Sequence, residues 1–256
     1  MRQLLPIARE AVAVARRIIR SRPLGSVVEK SERDLVTDVD LAVEDAVRSF
    51  LARETPEIGV LGEERGHTGS EDLWWALDPV DGTTNFSRGM PLCGVSLALV
   101  SGSASVVAAI DLPYLDETYS AVAGEGAFVG VDRISCSTVD ELSSAVISIG
   151  DFAIGPGAVE KNRRRLELLS YLGSRAQRIR MLGTAAIDLA WVASGRLDAS
   201  IILANMPWDT MAGVLLVREA GGVVVDTDDT DHTVSSKATI AVCPGLRKEI
   251  LALLSD

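Results

Sequence analysis

Residues 73–77, LWWAL, are apolar without a break and run straight into DPVDGTT at 78–84. A short apolar run closed by a proline and a glycine reads as a buried strand. This strand ends on two aspartates three positions apart. Like charges repel, and a buried carboxylate is costly unless something pairs with it. Either the pair caps a turn or it holds a cation.

The segments around this strand mix helix and strand patterns. Leu5, Ala8, Val12, Ala15 and Ile19 share one helical face, which predicts an amphipathic first helix. Charges interrupt that segment and no cleavage-like site follows, so it does not read as a targeting peptide. Val43, Val47, Phe50 and Leu51 predict a second helix over about 39–53. IGVLG at 58–62 predicts a short strand ending at Glu63-Glu64. CGVSLALV and ASVVAAID predict a hairpin around SGSA, and ETYSAVAGEGAFVG continues in short strands and glycine turns.

From about residue 139 the pattern changes. AVISIG and DASIILA read as strands. EKNRRRLELLSYLG reads as a helix stopped by Gly173, and TAAIDLAWVASG as one stopped by Gly195. DTMAGVLLVREAGG is predicted as a helix with Asp209 as N-cap and Gly221 as stop. VVVD and TIAVC are strands, and GLRKEILALLS is the last helix. Hairpins and crossovers together imply layered sheets and helices. The expected organisation is one domain over 1–256, with an α+β half over 1–138 and an α/β half over 139–256.

Composition removes several function classes. A formal charge of −11 argues against nucleic acid as the main ligand, since phosphate backbones demand Lys/Arg clusters. RR at 16–17 and NRRR at 162–165 read as solvated helix faces. No segment approaches the roughly 18 unbroken apolar residues of a membrane span. Cys93, Cys136 and Cys243 have no paired spacing, which suits a reduced, cytoplasmic protein. With only His67 and His232, a zinc site of histidine and cysteine is not expected.

DPVDGTT offers more than a turn. Pro79 stiffens the backbone between Asp78 and Asp81, and Gly82 lets it turn sharply. Thr83, Thr84 and Asn85 look like a helix start, where N–H groups favour an anion. Hard oxygen ligands for Mg²⁺ thus lie beside a phosphate-sized anion site. The bland reading is an Asp-rich turn with helix caps. Other acidic positions have bland readings too. Asp40 could complete a capping box with Thr37, Asp209 could be a plain N-cap, and Glu63 and Glu64 a solvated loop. Together they form a set at element ends, where loops converge to make sites.

These residues, in this order and spacing, resemble the inositol monophosphatase family of Mg²⁺-dependent, lithium-sensitive phosphatases. The family signature is Asp, Glu-Glu, Asp-Pro-Ile/Val-Asp-Gly-Thr/Ser-Thr, then Trp-Asp, eleven residues and Gly-Gly. Here it reads Asp40, Glu63-Glu64, DPVDGTT, Trp208-Asp209 and Gly221-Gly222 after residues 210–220. GEGAFVG and MLGTAAIDLAWVASGRLDA also resemble family segments. The resemblance covers nearly the whole chain. It implies a layered α-β-α-β-α sandwich, shared with fructose-1,6-bisphosphatase, and commonly a homodimer. It implies two or three Mg²⁺ ions held by Glu63, Asp78, the Val80 carbonyl, Asp81 and Asp209. It implies phosphate contacts from the Gly82 and Thr83 amides. Asp40, Thr83 and Glu63 then serve the attacking water, and Asp40 also faces a third, weaker metal. Gly183, Thr184 and Ala185 lie near the alcohol part of the substrate. Their bland reading is a helix N-terminus with Thr184 near the cap.

The physics of phosphate monoester hydrolysis agrees with such a site. Catalysis is mainly positioning and charge neutralisation, so it needs several carboxylates and no protein nucleophile. The expected substrate is a small phosphate monoester, with inositol 1-phosphate first. Inositol-specific relatives carry an acidic residue seven before the Trp-Asp aspartate, and here that position is Ile202. Isoleucine accepts no hydrogen bond. Fructose 1,6-bisphosphate, histidinol phosphate and 3′-phosphoadenosine nucleotides are therefore rivals, the amine of histidinol phosphate being disfavoured by the same loss. A non-catalytic regulatory protein on this fold is a further alternative. DTDDTDHT at 226–233 reads as a solvated turn, Trp74-Trp75 as core packing, and Asp188 as structural.

Overall fold

The computed structural model describes residues 1–21, 27–31 and 34–254. The first half holds α1 (Leu5–Ser21), β1 (Val27–Ser31), β2 (Asp34–Thr37), α2 (Asp38–Glu54), β3 (Gly59–Gly62), β4 (Gly66–Thr68), β5 (Leu73–Asp81) and α3 (Thr83–Ser87). The antiparallel meander β6 (Gly94–Ser101), β7 (Ala104–Leu112), β8 (Glu117–Val122), β9 (Gly126–Val129) and β10 (Asp132–Ile134) follows. The rest comprises β11 (Val146–Ile149), α4 (Ala158–Gly173), β12 (Arg178–Arg180), α5 (Ala185–Ala193) and β13 (Ala199–Ile202). Then come α6 (Pro207–Glu219), β14 (Val223–Val225), β15 (Thr239–Val242) and α7 (Arg247–Ala252).

Three apolar clusters stack these elements into five layers. The outer face of α1 is polar, while Ala8, Val12, Ala15 and Ile19 turn inward and are fully buried. They pack with Val43, Val47 and Leu51 of α2 on one face of an eight-stranded sheet ordered β10-β9-β8-β7-β6-β5-β3-β4. Strand alternation splits the tryptophans between the two faces. Trp75 lies in that first cluster, and Trp74 joins α5 and α6 on the opposite face. The two helices also contact a five-stranded sheet ordered β12-β11-β13-β15-β14, through Ile202, Val224 and Ala241. Its far face, Ile147, Ile201, Ile240 and Val242, packs on α4 and α7. The result is the expected α-β-α-β-α sandwich. Among the described residues no helix is long and apolar enough to cross a membrane.

Two boundaries differ from the sequence expectation. The central strand does not stop at Leu77 but runs on through Asp81. The helix expected to be capped by Asp209 starts three residues earlier, with Pro207 in its first turn and Met206 as N-cap. Proline is preorganised for that position, so Asp209 becomes a first-turn acid rather than the cap. The β1–β2 hairpin and β4 had no counterpart in the sequence reading. The 226–233 segment does turn on its own aspartates, Asp226 and Asp228, but His232 folds inward and is buried.

Candidate active site

β5 lies inside the larger sheet between parallel β3 and antiparallel β6, which leaves its C-terminal end facing the loops. Asp78 pairs with Ser96 and Asp81 with Gly94, so β5 carries one extra residue there. That bulge re-aims the chain and lets a proline sit in an interior strand. Asp78 Oδ1 accepts from the Val80 amide at 3.0 Å, which holds the turn closed. Gly82 follows with φ +89°, and a Cβ there would sit 2.9 Å from the Leu92 carbonyl oxygen. It opens α3, whose N-terminus has no side-chain cap hydrogen bond.

Asp40 is reached from both sides. The capping box with Thr37 is present, so the bland reading holds. Asp40 Oδ2 accepts from the Thr37 amide at 3.0 Å and is also bonded to the Thr37 hydroxyl. Its other oxygen faces the site, where the Thr83 hydroxyl lies 3.1 Å from Asp40 Oδ1 and 3.0 Å from the Val80 carbonyl. One carboxylate therefore caps a helix with one oxygen and addresses Thr83 with the other.

Glu63 and Glu64 leave β3 in a turn held from beneath by a residue sequence reasoning missed. Glu44 of α2 is fully buried and accepts from the amides of Glu64 at 2.8 Å and Arg65 at 3.0 Å. Arg48 Nε donates to the same carboxylate at 2.8 Å and its guanidinium also holds the Gly66 carbonyl. Only a glycine fits above it, since a Cβ on Gly62 would lie 2.2 Å from Glu44 Oε1. The one sequence signal was the Glu44–Arg48 i,i+4 spacing, common on solvated helix faces.

The second half of the chain closes the site. Asp81 Oδ2 accepts from the Thr184 hydroxyl at 2.6 Å and from the Ala186 amide. Thr184 is the N-cap of α5, as read, so Gly183, Thr184 and Ala185 meet Asp81 at a helix N-terminus. Asn85 Nδ2 donates to the carbonyls of Leu92 at 2.9 Å and Leu182 at 2.7 Å, tying the two loops together. Asp209 enters from the first turn of α6, where the Ser96 hydroxyl holds the Trp208 carbonyl at 3.0 Å. A cleft of about 160 Å³ is lined by Asp81 and Asp209, by Thr184, and by Asp151, Asp188 and Ile202. Asp188, read from the sequence as structural, thus lines the cleft.

The carboxylates feel one another. Burial pushes Asp78 well above the ordinary carboxylate range, and the charges of Glu63, Asp81, Asp209 and Asp40 add to it. Burial lifts Asp81 to about 6 against the bonds from Thr184 and Ala186. Asp40 is raised by burial in spite of Thr37 and Thr83. Cys93 is pushed up to about 12 by burial and by Asp81, Asp40 and Asp78. Among the described residues no three such side chains already meet at a single coordination point. The arrangement is a crowd of acids in mutual electrostatic range, with Asp40 from α2, Glu63 from the turn after β3, Asp78 and Asp81 from the end of β5, and Asp209 from α6.

The chain matches the model described as the inositol monophosphatase family over residues 1–255. It is 38% identical over 234 residues to "Inositol-1-monophosphatase ImpA" of Mycolicibacterium smegmatis, covering 90% of this chain and 84% of that one. It is 36% identical over 228 residues to "Nus factor SuhB" of Xylella fastidiosa, covering 89% and 82%. The solved structure of extragenic suppressor protein suhB from Bartonella henselae superposes with a TM-score of 0.91 at 33% identity, covering 99% of both chains.

Proposed function

We propose that this chain, which belongs to the inositol monophosphatase family, hydrolyses the phosphate monoester of a small polyol with the help of Mg²⁺. Family membership makes it a phosphoric monoester hydrolase. Inositol 1-phosphate is the first substrate to test. The observation that carries the reading is the crowding of Asp78 by Glu63, Asp81, Asp209 and Asp40.

A hard divalent cation fits that donor set. All the donors are oxygens, and their mutual repulsion is relieved by positive charge. Glu63, Asp78, Asp81, Asp209 and the Val80 carbonyl are the residues proposed to hold two or three Mg²⁺ ions. Bound Mg²⁺ would supply Lewis acidity to the phosphate and to the attacking water. The protein supplies the rest. The Thr83 hydroxyl, within 3.1 Å of Asp40 Oδ1, can pass its proton toward that carboxylate and accept one from water. Glu63 shares in orienting that water. The Gly82 and Thr83 amides at the start of α3 are the groups proposed to receive phosphoryl oxygens. Gly183, Thr184 and Ala185 flank the alcohol side, and Thr184 keeps Asp81 turned into the site.

The test is phosphate release from a panel of phosphomonoesters with and without Mg²⁺. Metal-dependent turnover of a polyol phosphate supports the reading, and no turnover on any member removes it. Lithium is expected to inhibit. The family resemblance also carries a homodimer, which sedimentation would score against a monomer. Free Cys93, Cys136 and Cys243 agree with a reducing, cytoplasmic setting, checked by fractionating the host cell.

A regulatory role is a second reading, favoured by relatives named "Nus factor SuhB". The two separate in the host cell. An inactive Asp81→Asn variant that restores a deletion strain supports regulation, and failure to restore it supports the enzyme.

A further inference from the structure

We infer that Asn205 is a positioning residue for Asp209. It moors the first turn of α6 to β15 through a chain of hydrogen bonds, and so sets how tightly the Asp209 carboxylate holds a divalent cation. This rests on the reading of Asp209 as a metal ligand above and extends it to residues outside the site.

α6 begins without a side-chain fastening of its own. Its N-cap, Met206, makes no side-chain cap hydrogen bond, and Pro207 has no N–H. Met206 is extended, with φ −120° and ψ 140°, as suits a residue before proline. The turn that carries Asp209 is tied down through its neighbours instead. On one side the Ser96 hydroxyl of β6 holds the Trp208 carbonyl at 3.0 Å. On the other, the Thr210 hydroxyl lies 2.5 Å from Asn205 Oδ1 and 3.2 Å from the Met206 carbonyl. The shorter contact is the stronger bond, so Thr210 donates to Asn205.

Asn205 passes that tie to the five-stranded sheet. Its Oδ1 also accepts from the Thr239 hydroxyl of β15 at 3.0 Å, and its Nδ2 donates to the Ser236 carbonyl at 2.7 Å. The amide is thereby fixed in orientation, with its oxygen between two hydroxyls. Thr239 has one hydroxyl hydrogen and gives it to Asn205, so its oxygen accepts from His232 Nε2–H at 2.9 Å. Thr210 and Thr239 are fully buried and His232 nearly so. Cutting such a chain leaves a donor or an acceptor dry, which makes it a stiff mooring. The two ties act on Trp208 and Thr210, the residues on either side of Asp209. They fix the direction in which its side chain leaves the helix. A ligating carboxylate has to be held to within about 0.5 Å, which a first turn without a side-chain cap would not ensure alone.

The experiment titrates Mn²⁺ into the protein by electron paramagnetic resonance and follows Mg²⁺ activation of phosphate release alongside. Asp209→Asn is the reference. A wild type that binds no Mn²⁺, or an Asp209→Asn protein that binds it as wild type does, strikes the metal-site reading of Asp209 and the inference with it. Where Asp209→Asn weakens binding, Asn205→Ala is expected to weaken the same site about tenfold. The Mg²⁺ concentration for half-maximal activity should rise by a similar factor, with kcat at saturating Mg²⁺ close to wild type.

Thr210→Val should act in the same direction and Thr210→Ser should recover wild-type affinity. The Asn205→Ala, Thr210→Val double variant should bind no more weakly than Asn205→Ala, since the two residues act through one bond. Wild-type Mn²⁺ affinity in a folded Asn205→Ala protein, even with a lowered Tm, makes Asn205 a stabilising residue only and overturns the inference. Additive losses in the double variant overturn it too. Should Asn205→Ala not fold, Thr239→Val decides: weakened affinity that Thr239→Ser restores supports the inference, and unchanged affinity overturns it.

Discussion

Replacing Glu44 by alanine tests whether the floor beneath the Glu63 turn matters. The substitution removes an acceptor from the Glu64 amide, the Arg65 amide and Arg48 Nε, at 2.8, 3.0 and 2.8 Å. Arg48 has a side chain only 14% exposed, so it loses its ion pair in a partly dry place. Removing one partner of a buried pair costs roughly 3–5 kcal/mol. Two features reduce the loss. Arg48 keeps its bonds to Thr68 and the Gly66 carbonyl, and the Arg65 amide lies at an exposed residue that water can reach. A loss of about 3 kcal/mol follows, or roughly 6–12 °C in Tm for a chain of this size. Glu44→Gln retains one acceptor oxygen and should lose about half as much. The same turn carries Glu63, so the Mg²⁺ concentration for half-maximal activity should rise in both variants. The assays are thermal unfolding by circular dichroism and Mn²⁺ binding by electron paramagnetic resonance. A Glu44→Ala protein within about 1 kcal/mol of wild type, with unchanged metal binding, would refute the argument.

Three other outcomes are expected. Gly82→Ala forces a side chain onto φ +89° and against the Leu92 carbonyl, and should cost about 1–3 kcal/mol with most of the turnover, by chemical denaturation and phosphate release. Wild-type values in both assays would count against the turn. Asn85→Ala leaves the carbonyls of Leu92 and Leu182 without their shared donor and should lose about 1–3 kcal/mol, read by urea unfolding. His232 is buried beside the Thr239 hydroxyl, and burial, then Arg218, depresses it from its ordinary value to about 4. A depressed histidine gives stability that is full above about pH 6.5 and lost as pH falls toward 4, so wild type should lose about 2 kcal/mol relative to His232→Gln between pH 7.5 and 5. Parallel pH profiles for the two proteins would show that His232 does not titrate in this way.

Much of the layering could be read from periodicity, because α1 and α2 each carry one apolar face and the inner strands are apolar runs. What escaped reading was set by contacts distant in sequence. β5 continues through Asp78-Pro79-Val80-Asp81, a run that propensity alone would end, because a bulge against β6 absorbs the extra residue. Asp209 looked like a cap because aspartate favours that place, yet Pro207 and Met206 set the helix start. Glu44 went unread, since an i,i+4 spacing to Arg48 is common on solvated helix faces, and only the turn folded over it at 63–65 buries it. Asp40, by contrast, is the capping-box acid and also accepts from the Thr83 hydroxyl. The acidic constellation was legible as a set because strand and helix ends converge. The rest of the cleft lining was not, since Asp151 and Asp188 reach it from two separate elements.

The central claim is that the crowd of carboxylates around Asp78 is a divalent-metal site that drives phosphate monoester hydrolysis. Its most direct test is phosphate release from inositol 1-phosphate as a function of Mg²⁺, for wild type beside Asp81→Asn, each checked for folding by circular dichroism. The account predicts saturable activation of wild type by Mg²⁺, abolished by chelator, and no measurable turnover by a folded Asp81→Asn protein. Turnover that ignores the chelator, or survives intact in Asp81→Asn, would contradict it.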